Sequence, residues 1–424
     1  MVAEIAPWRA LAFQKRLDKR SGSCFLERMK HSFKPASQPP SIEASDWLNW
    51  SWQLRSALKS KEDFSRHFCL SEDEERGFEG LGKLFQVRTT PYYASLASKE
   101  YPQDPIRKIL MPSGLELKEG AQSLLDPLGE RKNNPAPRII HRYPDRLLFL
   151  VTDLCSVYCR YCTRKHFTGG DQAFIRSGDY DKALSYIKAH PGVREVILSG
   201  GDPLTLSDVV LERVLADLRS IDHIEIVRIG TRMPVVCPMR ITESLVRMIR
   251  RYQPIFLMTH FNHPRELTTE AARALGLLVD HGIPVFNQLV LLNGINNHPA
   301  IIQALSRRLL YLRVKPYYMF QCDPSEGTDH LRTSIDESLE LQRELWGNLS
   351  GLAMPNLSVD IPDGGGKVGL VPNFETSRQQ GHRTFTGWDG VEAHYKDPLP
   401  QQRMTPFDSE DYQAEWDLLK AAKL

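Results

Sequence analysis

LLFLVTDLCSVYCRYCTR, residues 147–164, joins an uninterrupted apolar run to three closely spaced cysteines. The run has the length and the branched and aromatic content of a strand buried on both faces. The loop that follows carries Cys155, Cys159 and Cys162 in the spacing CxxxCxxC. Four further cysteines, Cys24, Cys69, Cys237 and Cys322, are scattered along the chain. An odd total of seven, with three crowded into eight residues, argues for a metal site in a reducing compartment and against a disulfide framework. Three thiolates can each ligate one iron of a [4Fe–4S] cluster and leave the fourth iron without a protein ligand. Such an open position separates a reactive metal site from a structural one. The other reading is structural zinc, for which His166 is the nearby fourth ligand.

Outward from this stretch the pattern repeats. Candidate strands are 147–152, 195–200 (EVILSG), 224–230 (IEIVRIG), 255–260 (IFLMTH), 285–291 (VFNQLVL) and 314–320 (VKPYYMF), separated by amphipathic stretches such as LSDVVLERVLADLRS. Apolar strands alternating with helices predict parallel strands with right-handed crossovers. Six such units predict an α/β chain built as a partial (β/α)6 barrel, whose functional residues sit at the C-terminal ends of the strands. A further strand, 357–361, leads to a glycine-rich turn and an irregular tail from about Asn373. Four regions follow: a basic flexible leader over 1–45, a helical N-terminal region over 46–140, the barrel over 141–322 and a C-terminal segment over 323–424. The leader faintly resembles a transit peptide; a basic tail is the simpler reading.

Composition adds limits. The chain has 424 residues, 41% hydrophobic and 25% charged, with a net charge of +2. These values are ordinary for a globular protein and give no reason to expect nucleic acid or a membrane as partner. No run of 18 apolar residues and no signal peptide is found, so a soluble, cytoplasmic protein is expected.

Two glycine elements carry chemistry. Ser199-Gly200-Gly201-Asp202 closes the second strand, where glycine allows close backbone approach. DIPDGGGK, residues 360–367, is not a Walker A loop, because Ile361 stands where the first glycine belongs and Val368 replaces the Ser or Thr that would bind magnesium. A lysine on such a turn serves as an amine nucleophile toward an aldehyde such as pyridoxal phosphate (PLP), or is simply an exposed loop lysine.

The cysteine spacing resembles the radical SAM superfamily, in which the open iron chelates S-adenosylmethionine (SAM), and Ser199–Asp202 resembles that family's SAM-binding element. From Trp47 to about Leu399 the chain resembles the lysine 2,3-aminomutase family, through TTPYYASL, HRYPDR, CSVYCRYCTR, LSGGDPL, VRIGTRMPVV, THFNHP, KPYYMFQCD and VDIPDGGGK. The resemblance implies a partial barrel of radical SAM type with a C-terminal PLP-binding segment. It implies Lys367 as the PLP lysine, Arg142 and Arg146 on the cofactor phosphate, and Arg164 on the substrate carboxylate. Asp323 and Asp360 then bind the substrate's distal cation, while Ser199, Gly200, Gly201, Asp202, His260 and Gln288 line the SAM pocket. Guanidinium forks suit phosphate and carboxylate oxygens, and two converging carboxylates ask for a cation between them.

The activity implied is migration of the α-amine of a basic L-amino acid to the β-carbon, L-lysine to L-β-lysine, with arginine as the nearest alternative. A non-catalytic iron–sulfur protein is the alternative from another class. An electron donor such as flavodoxin or ferredoxin is implied. Two departures stand out: Asp363 occupies a position often held by Gly, and Tyr161 one often held by His. No cysteine follows Cys322, so the zinc segment that joins subunits in clostridial members is missing and a homo-oligomer would need other contacts.

Overall fold

The computed structural model describes residues 31–80, 86–118, 120, 122–165, 167–168, 174–379, 381–398, 406 and 409–421. His166 and the first thirty residues of the expected leader lie outside this set. The rest of that leader is held in place. Thr269 at the start of helix Thr269–Asp280 donates its backbone N–H to Lys34 O (3.2 Å) and its hydroxyl to Phe33 O (2.6 Å).

Nine strands form one sheet in sequence order: β1 Ile139–Tyr143, β2 Arg146–Thr152, β3 Glu195–Gly200, β4 Ile226–Gly230, β5 Ile255–Thr259, β6 Val285–Leu291, β7 Lys315–Gln321, β8 Asn356–Ile361 and β9 Gly366–Gly369. β2 to β8 are parallel neighbours, so the strand expected after the sixth unit joins the barrel as its seventh parallel member. β1 and β9 run antiparallel at the two edges. Short helices fill much of the region before β1, which starts at Ile139, two residues ahead of the expected barrel boundary.

Alternation along each strand sorts the two faces. On β3, Val196 and Leu198 are buried under the outer helices, while Glu195, Ile197 and Ser199 stay half-buried on the concave side. β6 repeats the pattern, with Gln288 on the half-buried set. The helices start where serine or threonine can accept an orphan backbone N–H: Ser207 from Val210, Thr242 from Leu245, Thr268 from Ala271 and Ser334 from Glu337. No described helix is long and apolar enough to cross a membrane.

The expectation of an irregular tail from about Asn373 is corrected. β10 Glu375–Gln379, β11 His382–Thr386 and β12 Glu392–Lys396 form a separate antiparallel sheet, and helix Ser409–Ala421 follows. These strands carry no apolar alternation, so periodicity could not reveal them. Cross-strand ion pairs support the sheet instead, with Arg383 reaching Glu375 (3.3 Å) and Asp397 (2.8 Å). Phe374 meets Trp346 edge-on at 6.0 Å and docks the sheet on the end of helix Ile335–Leu345.

Candidate functional site

The cysteine loop leaves β2 at the C-terminal end of the barrel strands. Two anchors hold it. Arg160, between Cys159 and Cys162, donates Nε to Glu116 Oε1 at 2.8 Å and Nη1 to Gln86 O at 3.0 Å, and both Arg160 and Glu116 side chains are 0% exposed. On the other side Gly201 and Asp202 donate backbone N–H groups to Thr152 O (2.6 Å) and Leu154 O (2.9 Å). A Cβ on Gly200, at φ +110°, would stand 2.4 Å from Thr152 O, and one on Gly201 would stand 2.3 Å from Leu154 O. The close approach that these glycines permit is therefore to the root of the cysteine loop itself.

Burial pushes the thiols of Cys155 and Cys162 up, and neighbouring cysteines push further in the same direction. Cys162 Sγ accepts a backbone N–H from Arg164 (3.4 Å), and Cys159 Sγ accepts Arg232 Nη1 (2.8 Å). Sulfurs that gather on one loop and receive N–H donors suit cluster thiolates. Among the described residues no three His, Cys, Asp or Glu side chains are drawn round one ion. A cubane does not require that, because each thiolate goes to its own iron.

Arg232, just past β4, is the largest omission of the sequence reading. Its Nη2 donates to Glu266 Oε1 and Tyr93 Oη, both at 2.8 Å, and its backbone N–H donates to Asp202 Oδ2 at 2.7 Å. Asp202 also accepts Thr231 Oγ1 (2.6 Å) and the Leu204 N–H (3.0 Å), so its carboxylate ties the ends of β3 and β4 together. A guanidinium on a cluster sulfur favours the reduced, more negative state. Arg232→Met is therefore expected to lower the midpoint potential of a cluster reconstituted on the three cysteines. An unchanged potential in an EPR-monitored titration would contradict this.

His260 follows β5. Burial, and then Arg232, push it down to about 3, so it is neutral, and its buried Nε2 has no hydrogen-bond partner in the chain. An orphaned ring nitrogen on the concave side fits a polar ligand there. The ring stacks on Tyr161 at 5.6 Å, and Tyr161 Oη accepts Asn262 Nδ2 at 2.6 Å, which gives the unexpected tyrosine a structural use.

The second half of the site lies at the seam between β1 and β9. Lys367 pairs with Asp360 across β8 and β9, and its Nζ stands 3.0 Å from Asp360 Oδ2 and 4.9 Å from the centre of the Phe320 ring. Its backbone N–H donates to Tyr143 Oη at 2.9 Å, which links the two edges of the sheet. Arg142 Nη2 donates to Asp360 Oδ1 at 3.0 Å, and the guanidinium groups of Arg142 and Arg146 lie 5.1 and 4.0 Å from the centre of the Tyr143 ring. Arg146 also pairs with Asp145 at 2.6 Å and is a third exposed. Two guanidiniums beside a half-exposed lysine amine fit an aldehyde cofactor carrying a phosphate.

Asp323, past β7, is pushed up to about 7, by burial first and by the charge of Asp360 second. Asp363 takes the left-handed conformation at φ +59°, which glycine adopts freely and Asp tolerates. That explains why either residue serves at this turn.

Arg164, two residues past Cys162, lies close enough to Cys162 and Cys155 to feel their charge. It donates to Ser199 Oγ (3.0 Å) and forms a bidentate pair with Glu130 at 2.6 Å. Glu130 sits in a loop without pattern, and nothing in the sequence marked it.

Comparison with known proteins agrees with this arrangement. Residues 149–303 match the family model described as the radical SAM superfamily, and residues 342–422 match that described as lysine-2,3-aminomutase. The chain is 44% identical to an L-lysine 2,3-aminomutase of Clostridium subterminale, over 84% of this chain and 86% of the relative. It is 41% identical to an L-lysine 2,3-aminomutase of Fusobacterium nucleatum, over 89% of each. It is also 40% identical to a glutamate 2,3-aminomutase of Clostridioides difficile, over 81% of this chain and 82% of that one. Identity of this extent, on a seven-stranded parallel barrel with its cysteines on the first loop, means that the chain belongs to the radical SAM superfamily and, within it, to the lysine 2,3-aminomutase family of isomerases.

Proposed function

We propose that this enzyme moves the α-amino group of L-lysine to the β-carbon and depends on PLP. The observation that carries the substrate is the buried Asp323, which feels the charges of Asp360 and Lys367. Asp323, pushed up to about 7 by burial first and by Asp360 second, is relieved when a cation joins it. A substrate with a distal ammonium brings that cation. Glutamate, the substrate in the name of one relative, would bring a third carboxylate into the same pocket.

The remaining roles follow from chemistry and placement. Lys367 Nζ is the amine that holds PLP, and the forks of Arg142 and Arg146 hold its phosphate. Arg164 holds the substrate carboxylate on the cluster side. Cys155, Cys159 and Cys162 hold the cluster, and Ser199, Gly200, Gly201, Asp202, His260 and Gln288 line the side where SAM lies. When bound, the cluster and SAM would supply radical chemistry, and PLP would supply a π-system able to spread unpaired spin. The barrel wall excludes water from that chemistry.

The test is anaerobic reconstitution with iron, sulfide and PLP, followed by incubation with SAM, reductant and lysine, arginine or glutamate. β-Lysine is the expected product. β-Arginine or β-glutamate formed in preference, or SAM cleavage without any migrated product, overturns the substrate. Lys367→Ala is expected to abolish the visible absorbance of bound PLP while leaving the iron content intact. A retained band would place the PLP lysine elsewhere.

A further inference from the structure

The loop between Asp126 and Asn133 touches both halves of the site. Glu130 accepts Arg164 Nε through both carboxylate oxygens (2.9 and 3.0 Å) and Arg164 Nη2 through Oε1 (2.6 Å), while Arg164 Nη1 donates to Ser199 Oγ (3.0 Å). A guanidinium has five N–H groups. These contacts occupy the Nε–H, one N–H of Nη2 and one of Nη1. One N–H on each terminal nitrogen is left over, and a carboxylate is the group that takes two such donors at once.

We infer that Glu130 is a positioning residue for the substrate: it clamps the side of the Arg164 guanidinium so that only its two terminal N–H groups remain for the substrate carboxylate. The inference rests on the reading of Arg164 as the carboxylate anchor. Without Glu130 the vacated side of the guanidinium offers a second, competing seat, and a carboxylate placed there shifts the whole substrate. With Glu130 present the anchor reads one carboxylate in one orientation.

The clamp is itself built into the Lys367 side. Asp126 accepts the backbone N–H of Glu130 (2.9 Å) and of Arg131 (2.9 Å), and Asn133 Nδ2 donates to Gly129 O (2.8 Å). Leu128 O accepts Arg142 Nη1 (3.1 Å). Gly129, at φ +62°, lies so near the glycine turn that a Cβ there would stand 2.7 Å from Gly364 N. One short loop thus fixes the carboxylate anchor relative to the turn that carries the reacting lysine. That distance is what a substrate held at both ends must match.

The test compares Glu130→Ala and Glu130→Gln with the parent enzyme, using lysine and 1,5-diaminopentane, which is lysine without its carboxylate. Glu130→Ala is expected to lower kcat by about 100-fold, the scale of an ångström misplacement, with KM far less affected. Added formate should fill the vacated position and restore turnover, and Glu130→Gln should retain more activity than Ala. Iron content and PLP absorbance should not change, and calorimetric affinity for 1,5-diaminopentane should match the parent. Unaltered kcat in Glu130→Ala, absence of formate rescue, or equal weakening of diamine and lysine binding would each overturn the inference. Arg164→Met, measured alongside, separates the two ideas. If it still prefers lysine over the diamine, the anchor reading fails. If it loses that preference while Glu130→Ala turns over normally, only the clamp fails.

Discussion

Glu116→Gln is expected to destabilise the protein by about 3–5 kcal/mol and to reduce the iron retained after reconstitution, although Glu116 touches no cysteine. Arg160 and Glu116 are both fully buried, and Arg160 stands between two of the three cysteines. Neutralising the carboxylate removes the counter-charge that Glu116 gives to a fully buried guanidinium. The chain then relieves the charge by opening the loop that holds Cys159 and Cys162. The double variant Arg160→Met/Glu116→Leu should recover most of the stability, because well-packed apolar residues of similar volume replace a buried pair at little cost. Denaturant melts and iron analysis of the three proteins decide the matter. A Glu116→Gln variant as stable and iron-rich as the parent would mean that the pair does not set the loop.

Substrate affinity is expected to rise about tenfold per pH unit up to about pH 7 and then level off, because one carboxyl of the cation pocket must give up a proton. Asp323 carries this dependence. It is pushed up to about 7 by burial and by Asp360, while Lys367, Arg142 and Arg332 pull the other way. In the unfolded chain an aspartate titrates near 3.9. Between about pH 4 and 7 the folded chain thus binds a proton that the unfolded chain has lost, so its stability without substrate falls as pH rises through that window. A ligand cation favours the ionised carboxyl and releases the proton. A cofactor that takes up the Lys367 amine removes one cation from the pocket and moves the midpoint up, not down. Calorimetry at about pH 6 in buffers of different ionisation enthalpy should count nearly one proton released per lysine bound. Asp323→Asn should bind weakly with a flat pH profile. A parent protein with a flat profile would remove Asp323 from the pocket.

The parallel strands were legible because apolar residues stand on both faces of each strand, and β3 and β6 lie where EVILSG and VFNQLVL predicted them. The edge strands were not. β9 is GKVG, whose glycines carry no strand preference, and it exists because β8 offers it a partner. β10 to β12 are polar on both faces and depend on cross-strand charge. Residues on motifs could be nominated for the site from the sequence, whereas Glu130 could not, since what singles it out is what a patternless loop lies against. Arg232 was within reach. It follows a strand in VRIGTRMPVV, at the barrel end where functional residues gather, but nothing in the sequence says that its guanidinium turns toward a sulfur.

Lys367 is held twice, and the two holds are separate. Its backbone N–H is fastened to Tyr143, while its amine is paired with Asp360. The strand can therefore stay still while the amine lets go. Freeing the amine breaks its pair with Asp360 but leaves the backbone in place, and the four-carbon stem then acts as a leash. A released amine cannot diffuse away; it stays within a few ångströms at a high effective concentration.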